Sequence, residues 1–102
     1  MNIDHQERMK SDFKYIKETG ELVWMVNRGR ARYGKKVGSV TPDNYIAVGF
    51  LGKIYRVHHI VWFFHYGEWP DCSLDHINGD GTDNRIENLR LCNDSQNQLN
   101  VG

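Results

Sequence analysis

Residues 74–97 read LDHINGDGTDNRIENLRLCNDSQN, a stretch with too few apolar side chains to form a core of its own. Beyond the loop at 77–84, its strong apolar anchors are Ile86, Leu89 and Leu91. It must therefore be pinned to the apolar segments that precede it, and its polar groups need another use. A carboxylate and an imidazole stand side by side at Asp75 and His76, and carboxamides recur at Asn84, Asn88 and Asn97. A hard cation requires oxygen ligands, and a hydrolytic water requires a base. This stretch carries groups suited to both.

The whole chain has 102 residues, which sets one domain as the expectation. A domain of this size buries roughly two-thirds of its unfolded surface. Its three Trp, five Tyr and four Phe exclude a disordered chain, which is aromatic-poor. Thirteen basic and thirteen acidic residues cancel overall, but they are unevenly placed. Residues 1–66 hold 11 basic and 6 acidic residues, and residues 67–102 hold 2 and 7. A basic half suits a polyanion and a carboxylate-rich half suits a cation, although surface charge can also segregate without a purpose.

Cys72 and Cys92 form no Cys-x-x-Cys pair, so they are expected to be reduced, with no structural zinc. The polar N-terminal run MNIDHQERMK is not a signal peptide. No segment approaches the ~20 apolar residues of a membrane span. A cytoplasmic location without membrane association is expected.

Along the chain, residues 1–12 read as frayed or as a short helix, and an apolar pattern begins at Phe13. Thr19-Gly20 signals a turn before a strand-like run at 22–26. Residues 27–36, NRGRARYGKK, form a basic loop without an acid. Residues 37–40, 45–50 and 53–58 read as strands of an antiparallel meander with one wet face. Apolar clustering at 59–66 predicts a helix, stopped by Gly67 and Pro70. A short strand centred on Leu74 follows, then the loop at 77–84, and Asn93 or Asp94 caps a last helix to about Leu99.

The run DHINGDGTDNRIENLR followed by SQNQLN resembles the HNH endonucleases, in particular the small bacteriophage and homing-type members. The upstream run YRVHHIVWFFHYGEWP, Thr-Gly-x-Leu-x-Trp at 19–24 and Gly-Lys-x-Tyr at 52–55 extend the likeness over roughly residues 13–100. The resemblance implies an α+β fold: a small antiparallel β-rich module followed by a ββα-metal (His-Me finger) motif. It implies one nuclease domain over 1–102, with 13–66 as a basic DNA-guiding part containing one helix and 71–100 as the catalytic motif. By position, His76 would be the general base and Asn88 the brace of the loop. Asp75 and Asn97 would hold one divalent cation, Mg²⁺ or Mn²⁺. The third motif letter is Asn97 here rather than His, which favours oxygen-loving ions. The implied setting is a bacterial cell, with a phage gene as the source.

The residue types suit phosphodiester hydrolysis in their own right: a water must lose a proton, and charge on the phosphate must be stabilised. Adjacent residues on a regular strand face opposite ways, so Asp75 and His76 share a site only if the strand ends or twists there. Asn84 competes with Asn88 for the bracing role, and the resemblance favours Asn88. Asn100 is a second candidate ligand, and Asn78, Asp80 and Asp83 read as turn formers. A calcium loop of the EF-hand type fails because counting from Asp75 puts Ile86 where Glu is needed. His58, His59, His65 and the tryptophans read as packing or surface residues.

The expected partner is double-stranded DNA, bound by a monomer or homodimer. Its phosphates would meet Arg28, Arg30, Arg32, Lys35, Lys36, Lys53, Arg56, Arg85 and Arg90. A single site would cut one strand. The alternative is a DNA-binding module that keeps this scaffold without turnover.

Overall fold

Two features of the sequence organise the architecture: a helix apolar on most of its sides, and hairpins whose turns close onto the polar loop. The structure, a computed structural model, describes residues 3–29 and 31–92. The elements run α1 (Ile3–Asp12), β1 (Phe13–Ile16), β2 (Glu21–Trp24), β3 (Ser39–Val40), β4 (Ile46–Phe50), β5 (Lys53–Arg56), α2 (Val57–Tyr66) and β6 (Ser73–His76). A single 3-10 turn (Ile86–Asn88) then leads into β7 (Leu89–Cys92). Three antiparallel sheets result: β1-β2, β3-β4-β5 and β6-β7. The protein is a small α+β fold. Among the described residues no helix is long and apolar enough to cross a membrane.

α2 carries the centre of the core. Val57, Ile60, Val61 and Phe63 are buried from it, and each large apolar side chain so buried contributes about 1.5–3 kcal/mol. The helix stops at Gly67, whose φ of 82° is left-handed and whose N–H reaches the Phe63 carbonyl at 2.8 Å. β4 and β5 pack Val48, Phe50 and Tyr55 into the same core. Their two-residue turn, Leu51-Gly52, has positive φ at both positions (50° and 81°), the geometry of a tight hairpin. Met9 of α1, Phe13 of β1 and Leu22 of β2 close the core from the N-terminal side.

The basic loop folds back on β2. Val37 N–H donates to Leu22 O at 2.8 Å, Trp24 N–H to Lys35 O at 2.9 Å, and Gly34 N–H to Trp24 O at 2.8 Å. Asp12, 3% exposed, is neutralised by Arg28 of that loop. The helix begins at Val57, two residues earlier than its apolar cluster suggests. This places His58 and His59 in its first turn, not at a strand end. The mostly polar first residues nevertheless form α1, because Met9 is fully buried and fastens the helix to the core.

Candidate active site

β6 and β7 form the hairpin that carries the site, paired Ser73↔Cys92, Leu74↔Leu91, Asp75↔Arg90 and His76↔Leu89. Leu89 is buried in the main core and Ile86 packs against it, so two apolar residues tether the polar segment. Between the strands, residues 77–85 turn on their own side chains. Asp80 N–H donates to Asn78 Oδ1 and Thr82 N–H to Asp80 Oδ1, both at 2.9 Å. These are Asx turns, in which a short polar side chain stands in for backbone. Arg85 grips Asp83 through Nε and Nη2, each at 2.8 Å, and holds that carboxyl down at about 2.

Asn88 spans the loop from its base. Its Oδ1 accepts from Asn78 N–H at 3.0 Å, and its Nδ2 donates to Asn78 Oδ1 at 3.0 Å and to Asp83 O at 2.8 Å. Its backbone carbonyl accepts from Ile77 N–H at 2.8 Å. Two turns from the N-terminal part press on the same loop. A Cβ added at Gly20 would lie 2.2 Å from the Asn84 backbone, and one at Gly81 would lie 2.3 Å from Asn44 O. Glycine is required at Gly20 twice over, since its φ is 71°.

His76 sits at the end of β6, 6% exposed. Its Nε2 lies 2.8 Å from Oδ1 of Asn84, which is itself 2% exposed. Rings of His58 and Tyr45 pack on it, with centroids 4.6 and 5.7 Å away. His58 is buried in turn, and desolvation, then the neighbouring His59, His76 and Arg56, pushes its imidazole down to about 3. The same burial, with Arg56 and His76, lowers His59. The Arg56 guanidinium lies over the Tyr45 ring at 4.6 Å and pairs with Asp43 at 3.2 Å.

Asp75 has different neighbours. Its Oδ2 accepts from Arg90 Nε at 3.1 Å and Nη2 at 2.8 Å, across the ladder from it, and its side chain is 43% exposed. His76 and Asp75 are thus adjacent in sequence but engage separate partners, as strand alternation requires. A turn begins at Ile77, directly after them. Asn97 and Asn100 lie outside the described residues, as does Arg30 and the expected last helix. Among the described residues, no group of three or more His, Cys, Asp or Glu stands where it could hold a metal ion. One accessible carboxylate fits a hard divalent ion that keeps most of its waters, but not a closed protein cage.

Five of the expected DNA-contacting cations have acidic neighbours: Arg28 with Asp12, Lys36 with Glu21, Arg56 with Asp43, Arg85 with Asp83 and Arg90 with Asp75. Arg32 donates to Gly29 O at 2.7 Å. Arg32, Lys35 and Lys53 join no ion pair among the described residues. From the sequence, Asn84 was only a rival to Asn88 as brace of the loop, and His58 and Tyr45 had no place at the site. Only the tertiary contacts with His76 single them out.

The fold is a small α+β one in which a short strand ends on a buried histidine and an asparagine-spanned loop follows. Residues 55–99 match the family model described as HNH endonuclease. A solved structure titled "DNA binding and cleavage by the HNH homing endonuclease I-HmuI" aligns over 87% of this chain with a TM-score of 0.56 and 24% identity. The alignment spans 51% of that chain, about half its length. No curated protein matches. Residues 55–99 are thus similar to the HNH endonucleases, and the structural match shows a shared fold.

Proposed function

We propose that the protein is a metal-dependent DNA endonuclease that nicks one strand at each site. The observation that carries this reading is His76, a buried imidazole fixed at a strand end beside a solvent-accessible carboxylate, inside an HNH-matching segment. In this reading His76 takes the proton from the attacking water. Asp75, with Asn97, would hold one Mg²⁺ or Mn²⁺, which when bound supplies positive charge to the phosphate and the leaving oxygen. Asn88 supports the base by holding both ends of the loop that follows it. Arg90, paired with Asp75, and Arg85, paired with Asp83, would in this reading exchange those partners for phosphate when DNA binds. Lys35, Lys53 and Arg32 offer charge to the DNA backbone farther away.

The test is conversion of supercoiled plasmid to the nicked circle with Mg²⁺ or Mn²⁺, and with chelator. Nicking that requires the ion is expected. Protein that binds DNA but never nicks it with any divalent ion would instead identify a binding module on the nuclease scaffold.

A further inference from the structure

We propose that Asn84 is a positioning residue that fixes the tautomer of His76, so that Nδ1 is the atom that accepts the proton from water. The inference rests on the nuclease reading above and adds a residue and an atom to it. Asn84 Oδ1 stands 2.8 Å from His76 Nε2, and both side chains are buried. A carboxamide oxygen only accepts, so the facing ring nitrogen must carry the hydrogen. A neutral imidazole has one such hydrogen, which leaves the lone pair on Nδ1. The amide turned over would donate to Nε2 and move the ring hydrogen to Nδ1. His76 would then have no lone pair to offer outside this contact.

The surroundings fix both partners. Gly20 packs against the Asn84 backbone so closely that a Cβ would lie 2.2 Å from it. The His58 and Tyr45 rings pack on the His76 ring and oppose its rotation. Asn84 Nδ2 is buried without a partner among the described residues. A side chain that merely filled this space would be better apolar, since an unpaired buried N–H is costly. The oxygen's bond to His76 gives the amide a reason to be there. Asn88, by contrast, uses both amide atoms on the loop and does not bond to the base.

Long-range ¹H–¹⁵N spectra of the wild-type ring at pH 8, assigned with His76→Gln, should show hydrogen on Nε2 and none on Nδ1. Asn84→Ala should give mixed tautomers, with kcat for plasmid nicking down about 30-fold or more and KM unchanged. Asn84→Asp, which restores an acceptor of the same size, should recover most of that loss. Hydrogen on Nδ1 in the wild type, or an unchanged tautomer and kcat in Asn84→Ala, overturns the assignment. The spectra need neither DNA nor metal, so a wild type that never nicks counts against the nuclease reading alone.

Discussion

The two halves of this small protein are held together by different forces. Around α2 the buried apolar side chains include Ile60, Val61 and Phe63, at 0–2% exposure, and their attraction has little directional preference. At the end of β6 and in the segment after it the buried polar side chains are His76, Asn84 and Asn88, at 2–6%, and each is held by directed hydrogen bonds. The first kind of packing tolerates exchange of one apolar residue for another of like volume. The second does not, because an apolar replacement strands its former partners. The site is built where geometry is fixed by donors and acceptors, and the core supplies the rigid wall behind it.

Substitution on each side should break this contrast in different ways. Phe63→Ala should cost about 3–5 kcal/mol and lower the unfolding midpoint of the whole domain. Asn88→Leu should cost about 1–3 kcal/mol by stranding Asn78 N–H and Asp83 O. Amide hydrogen exchange should locate that second loss in residues 77–88 and spare α2. Equal loss of protection in both regions would show that the loop and core are one cooperative unit.

Acid should act where the two halves meet, since His58 of α2 packs on His76. His58 is neutral in the fold, with its imidazole pushed down to about 3, whereas an unfolded chain would titrate near its ordinary 6.5. Below 6.5 the unfolded state therefore binds the extra proton. Stability from this residue is complete above 6.5 and is lost as pH falls toward 3, by about 1.4 kcal/mol per pH unit. The lowered His59 acts with the same sign. Denaturant titrations at pH 7.5 and pH 5 should show the drop, and His58→Phe should reduce it. An equal drop in that variant would locate the proton elsewhere.

The smallest effect should be in the basic part. Ala at Lys35 and Lys53 should leave stability unchanged and reduce the slope of log affinity against log salt by about 2. Arg28→Ala should instead destabilise the fold, because it leaves the buried Asp12 with only Arg8, at 4.0 Å, as a cation partner among the described residues. Unchanged slopes on removing Lys35 and Lys53 would leave these two lysines without a part in binding.

Much of this was legible in the residues. The apolar cluster before Gly67 marked α2, and alternation marked the meander, because burial writes its period into sequence. Thr19-Gly20 was legible as a turn. Its close approach to Asn84 was not, since nothing local signals a contact 64 positions away. β7 was implied only by the family resemblance. Its Leu-Arg-Leu alternation is brief, and its partner lies across the loop. Arg28 read as a free cation because Asp12, its counter-ion, belongs to a different element. At the site, Asp75 and His76 could be named from their chemistry. Asn84 could not be separated from the other asparagines until its carboxamide was seen against the imidazole. Hydrogen-bond partners depend on tertiary approach, which composition and spacing do not encode.

If His76 is the base of a DNA-cutting site, His76→Ala should separate cutting from binding. Plasmid nicking with Mg²⁺ or Mn²⁺ should fall by about 100-fold or more, while DNA affinity measured at the same salt stays within about twofold of wild type. Nicking at the wild-type rate by the alanine variant would contradict the account.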